Sequence, residues 1–188
     1  MSSPSDQLKF QLDSMHDLVA GVKPDQWTNT TPCDGWAVRD VVNHLALGGT
    51  MFAASFRGDT MEIDPENPEP DILGENPLAV IDAVRADLVQ SMDSPGAMDR
   101  DAVLPFATLP AQVAVDIARF DVLVHLYDIA VSTGQPFDPP ADVCDNGRQT
   151  AEMIVPGLRD GKSFGDENSA PAGATPIQQL AAFSGRKL

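Results

Sequence analysis

The chain has 188 residues, with 12 Lys plus Arg against 28 Asp plus Glu, a formal net charge of 12 − 28 = −16. A field of that sign repels phosphate backbones and anionic headgroups, so neither nucleic acid nor a membrane surface is an expected partner. With 43% hydrophobic residues the chain is too apolar to stay disordered, and its length suits one domain over residues 1–188.

No apolar run approaches the ~18 residues of a membrane span. The first 22 residues carry Asp6, Lys9, Asp13, His16 and Asp17 and lack the apolar centre of a secretory signal. Cys33 and Cys144 lie far apart with no CxxC, which excludes a disulfide framework and an all-cysteine zinc site. A reduced, cytoplasmic protein is expected, as a monomer or a homodimer.

Apolar residues recur mostly at helical spacing. A first helix is expected over about 5–22, with Leu8, Leu12, Met15, Val19 and Val22 on one face. A second covers about 36–57, striped by Val38, Val41, Leu45, Phe52 and Phe56, and stops at Arg57-Gly58. Residues 59–75 form an acidic, Pro-rich loop. In the third helix, about 77–92, Asn76 suits the cap and Pro77 the first helical position. Residues 101–110 hold two prolines and allow at most a short strand pair. The fourth helix, about 110–133, is the most apolar, and Val113, Ile117, Phe120, Val124 and Val131 are expected on its core face. A fifth helix covers about 140–155. Residues 157–188 read as a surface-running tail that ends in a short helix over about 176–183. Such a pattern indicates an all-α, up-and-down four-helix bundle with one or two extra short helices.

The fourth helix holds the most informative segment. Asp121 and His125 interrupt an apolar run, and four residues apart they share a face. Small Ala114 and Ala118 are expected to leave space beside them. A carboxylate and an imidazole on adjacent turns can bind one metal ion, with donors ~2.0–2.2 Å from it. His44, mid-way along the second helix, is the best third donor. Two histidines and one carboxylate leave coordination positions open, which marks a reactive site. The bland alternative is a hydrogen-bonded Asp–His pair. Asp40 has the same spacing to His44, but in the first helical turn its carboxylate serves the helix dipole.

Four blocks carry a family resemblance. They are Thr31 to Leu45 (TPCDGWAVRDVVNHL), Leu104-Pro105-Phe106, Asp121 to Asp128 with Thr133-Gly134-Gln135-Pro136, and the tail from Ala174 to Arg186. In order along nearly the whole chain, they resemble the mycothiol-dependent maleylpyruvate isomerase-like proteins of the DinB/YfiT-like metalloenzyme group, in an actinobacterial single-domain subfamily. The resemblance implies a DinB-like helical bundle with one divalent metal. Its ligands would be His44, Asp121 and His125. Zinc is the expected ion, with nickel, iron or manganese close behind. It also implies mycothiol, or another low-molecular-weight thiol, as co-substrate in a transfer or isomerisation of a small electrophile. The alternatives are a non-catalytic small-molecule binder or scaffold with a vestigial site, and a metal-dependent hydrolase. Departures from the pattern are Asp121 where the isomerase has Glu, and Tyr127-Asp128 where Trp-Asp is usual. The isomerase also has a second domain after the bundle, so maleylpyruvate itself is not the expected substrate.

Two more residues are candidates for the site. Arg85 falls toward the apolar face of the third helix, as a snorkelling side chain or as an anion clamp near the metal. Asp128 lies three residues after His125 and could orient it from behind the metal. Cys33, beside Asp34, has the wrong surroundings for a nucleophile. His16 reads as boundary packing, and Trp27 and Trp36 as core anchors.

Overall fold

The computed structural model describes residues 3–62, 64, 67, 70–160 and 163–188. Within the acidic loop, positions 63, 65, 66, 68 and 69 lie outside the described residues. Helix α1 (Pro4–Ala20) starts at a reciprocal cap, in which Ser3 Oγ accepts the Asp6 N–H and the Asp6 carboxylate accepts the Ser3 N–H. In α2 (Val38–Arg57) the Asp40 carboxylate accepts the Ala37 N–H at 2.8 Å, so Asp40 serves the helix start. Gly58, at φ 89°, stops it in a conformation that glycine reaches without strain. Asn76 caps α3 (Pro77–Met92) through the Ala79 N–H. A two-stranded antiparallel hairpin follows, β1 (Asp101–Leu104) and β2 (Ala107–Pro110). Then come α4 (Ala111–Thr133), α5 (Ala141–Ile154) and α6 (Pro176–Phe183). The helical bundle with a short hairpin is therefore what forms. Among the described residues, no helix is long and apolar enough to cross a membrane.

Side-chain pairs give the directions of the bundle helices. His16, Asp13 and Lys9 meet Asp82, Arg85 and Asp93 in turn, so α1 and α3 are antiparallel. Gln7 meets Arg119 while the Leu18 carbonyl meets Gln135, so α1 and α4 run parallel. Gly49 faces Val84 and Arg57 reaches Asp87 and Ser91, which makes α2 and α3 parallel. Trp36 meets His125 and His44 meets Asp121, so α2 and α4 are antiparallel. The all-α bundle is therefore as expected, but its α2 and α3 do not follow the up-and-down order, and parallel neighbours joined in sequence need a long return, since 20 residues of α2 rise ~30 Å. The acidic segment supplies it. By residue 70 the chain is back at the start of α2, where Asn43 holds the Pro70 carbonyl and the Ile72 N–H, and Arg39 pairs with Asp71 at 2.7 Å.

Two apolar clusters meet on α4. Ala114, Val115, Ala118, Val122, Leu126 and Ile129 face the four-helix core. Phe120, Leu123, Val124 and Tyr127 face α5 and α6. The stripe expected to face the core is therefore mostly the opposite one. Phe120 and Val124 are covered by α5 and α6, while Val113 and Val131, beyond that cover, are 42% and 53% exposed. The tail divides into two parts. Most described residues from 157 to 174 are exposed, but Ile177, Leu180, Ala181, Phe183 and Arg186 turn inward. Burying Ile177, Leu180 and Phe183 contributes ~1.5–3 kcal/mol each, enough to hold α6 down.

Candidate functional site

His44 sits in α2 and Asp121 and His125 in α4, on the facing sides of these antiparallel neighbours. His44 Nε2 lies 3.4 Å from Asp121 Oδ2, and His125 Nε2 lies 3.6 Å from Asp121 Oδ1. One donor atom from each residue falls within 4.8 Å of the others. A tetrahedral ion with ligand bonds of ~2.1 Å spaces its donors ~3.4 Å apart, and each histidine stands at about that distance from one of the two Asp121 oxygens. The donor set and its convergence fit a divalent cation. The His44 and Asp121 side chains are 27% and 31% exposed and that of His125 only 8%, so the site opens on the His44–Asp121 side. Burial alone would raise the Asp121 carboxyl. The imidazoles of His44 and His125, with Arg186 further off, outweigh it and hold the pKa down to about 2.

Behind His125 is a buried polar chain. His125 Nδ1 lies 3.0 Å from Asp128 Oδ2, and Arg186 bonds both Asp128 oxygens, Nη2 at 2.9 Å and Nε at 3.3 Å. Burial opposes the Asp128 charge, but the bond from His125 and the Arg186 guanidinium lower its pKa below the usual carboxylate range. An ionised carboxylate only accepts, so Nδ1 of a neutral His125 carries the ring proton and Nε2 keeps its lone pair toward Asp121. Asp128 thus stands where an orienting group would.

Trp36 has more to do than anchor a helix end. Its ring stacks on His125, centroids 5.7 Å apart at 9°, and lies 5.0 Å from His44. Arg186 carried no sequence signal of its own beyond its place in the tail block, because its partner is 58 residues away.

Arg85 is not brought to this cluster. Its guanidinium pairs with Asp13 across α1 and α3, so the structure gives no support to a clamp beside the metal ligands. His16 pairs with Asp82 on the same side of the bundle. Cys33 Sγ is within 4.8 Å of donor atoms on His125 and Asp128. Burial pushes its thiol up to about 11, and Asp128 is already held by Arg186, so this second group is the poorer cation seat. The space expected beside Ala118 is only ≈ 10 Å³. A far larger cavity, ≈ 610 Å³, lies beyond His44 and Asp121, between α2, α4, the hairpin and the segment after α5.

A sequence model described as the mycothiol maleylpyruvate isomerase N-terminal domain matches residues 10–130. Two uncharacterised proteins of Mycobacterium tuberculosis, from strains CDC 1551 / Oshkosh and H37Rv, are each 33% identical over 176 residues, 93% of this chain and 92% of theirs. Among solved structures, a histidine-to-alanine mutant of the mycothiol-dependent maleylpyruvate isomerase superposes with a TM-score of 0.62 at 13% identity, covering 78% of this chain and 70% of that one. That likeness shows a shared fold. With the match of the sequence model across α2 and α4, it places the chain in the mycothiol maleylpyruvate isomerase N-terminal domain family.

Proposed function

We propose that the protein is a divalent-metal enzyme that uses a low-molecular-weight thiol, mycothiol in the first instance, in transfer to or isomerisation of a small electrophile. The observation that carries this is the convergence of donor atoms on His44, Asp121 and His125 within 4.8 Å. These three would hold the ion, zinc by preference for two imidazoles and a carboxylate. When bound, the ion supplies a positive charge that lowers the pKa of a thiol brought to it. Asp128 and Arg186 fix the His125 ring, and Trp36 covers it on one face. Addition of a thiol to an electron-poor double bond forms one S–C bond and leaves the thiol proton on the neighbouring carbon, with no oxidant and no leaving group. Reversal after rotation about the former double bond is an isomerisation. What supports a thiol, and mycothiol among thiols, is membership of a family described as the mycothiol maleylpyruvate isomerase N-terminal domain. Both cysteines are free, in keeping with a reducing, cytoplasmic setting.

The test is elemental analysis of the purified full chain after zinc loading, then a screen of thiol with electrophile. About one ion per chain is expected, lost in His44→Ala and in Asp121→Ala, with turnover that needs the added thiol. A wild type that takes up no divalent ion, or two variants that both retain it, would overturn the metal assignment. Turnover of the electrophile without thiol would overturn the thiol assignment.

A further inference from the structure

The ≈ 610 Å³ cavity has an unusual wall for a neighbour of charged ligands. Phe120 and Phe164 stack at 6.0 Å, and Ile117 continues that surface. At the rim Phe106, Val113 and Leu158 are 60%, 42% and 43% exposed, although each is a large apolar side chain. Apolar side chains gathered on one rim lose hydration free energy unless something covers them, and a contiguous patch of this kind marks a binding surface. The volume lies within the ~300–1,000 Å³ of small-molecule sites.

Charge narrows the occupant. Among the described residues that line the cavity there is no Lys or Arg, and Asp121 is the one acidic side chain. A monoanion could place its charge on a cation held by His44, Asp121 and His125. The second charge of a dicarboxylate would meet apolar carbon and the field of a chain at −16, with no cationic side chain among the described lining residues to pair it.

We infer that this groove takes the uncharged, apolar body of a small molecule, aromatic or branched-aliphatic, with its reactive end toward His44 and Asp121, and that it rejects dicarboxylates. The inference rests on the proposed function for what happens at that end, but the groove itself is a separate observation.

The experiment is fluorescence titration of the full chain, zinc-loaded and metal-free, with the neutral dye N-phenyl-1-naphthylamine. Saturable binding of one dye per chain is expected. Val113→Lys and Phe106→Asp, both at exposed positions, should weaken it at least tenfold while circular dichroism and zinc uptake stay unchanged. Val131→Lys, exposed on α4 but outside the cavity, should leave it unaltered. Millimolar maleate should not displace the dye. Absence of saturable binding, indifference to both rim substitutions, or displacement by maleate would overturn the inference. Zinc uptake without dye binding sinks the groove alone, whereas dye binding without zinc uptake sinks the metal assignment alone.

Discussion

Replacing Arg186 with methionine keeps an apolar stem but removes the charge that faces Asp128. Both side chains are buried, Asp128 completely and Arg186 at 6% exposure, and the guanidinium bonds both carboxylate oxygens. Breaking such a pair from one side leaves an uncompensated charge in the interior, at a cost of about 3–5 kcal/mol. For a chain of this size each kcal/mol shifts Tm by ~2–4 °C, so the variant should melt roughly 6–20 °C lower. The assay is urea unfolding followed by circular dichroism, at neutral pH and without metal, for wild type, Arg186→Met, Asp128→Asn and the double variant. Removing the Asp128 charge as well should return part of the loss, so the double variant should be more stable than Arg186→Met alone. A loss below about 1 kcal/mol, or strictly additive effects, would refute the reasoning. It would mean that water reaches the pair, or that Asp128 is protonated.

Three further outcomes follow from particular contacts. In Gly49→Ala the new Cβ would stand 2.4 Å from Val84 Cγ1, so despite better helix propensity the variant should lose about 1–3 kcal/mol, restored in part by Val84→Ala; a variant more stable than wild type in denaturant would contradict this. Asp121, whose folded pKa of about 2 is below its unfolded value, adds stability that is present above pH ~4 and is lost as the pH falls toward 2. This is on the order of 2 kcal/mol in the metal-free chain, and an Asp121→Asn variant with the same acid-unfolding slope as wild type would disprove it. Cys33, its thiol raised to about 11 by burial, should be roughly 10⁻⁴ thiolate at pH 7; mass spectrometry should find iodoacetamide labelling far slower than for glutathione, and equal rates would rule the environment out.

The helices were legible because their ends carry local chemistry. Asn76-Pro77 and Gly134 act through their own backbone neighbours, so no tertiary knowledge is needed. The candidate ligands were legible for a related reason, since polar groups that interrupt an apolar helix stand out against it. Which way a stripe faces is another matter. Val113 and Val131 are five helical turns apart and share a direction with Phe120 and Val124, and periodicity alone does not say that this direction meets α5 and α6 and not the bundle core. Arg85 failed as a clamp because its partner, Asp13, depends on the ring order of the helices. Trp36 and Arg186 were hidden for the same reason. Each reaches the site from a segment whose own sequence reads as a helix start or a tail.

Helix α4 is wrapped by α1 and α2 on one flank and by α5 and α6 on the other. A fragment cut near Thr133, close to the end of the family match at residue 130, would keep all three candidate ligands. It would nonetheless lay bare Phe120, Leu123, Val124 and Tyr127 to solvent and strip Asp128 of its guanidinium. Expressed by itself, such a piece should clump before it could be assayed. The tail is thus as much a condition of the histidine's posture as the helix that bears it.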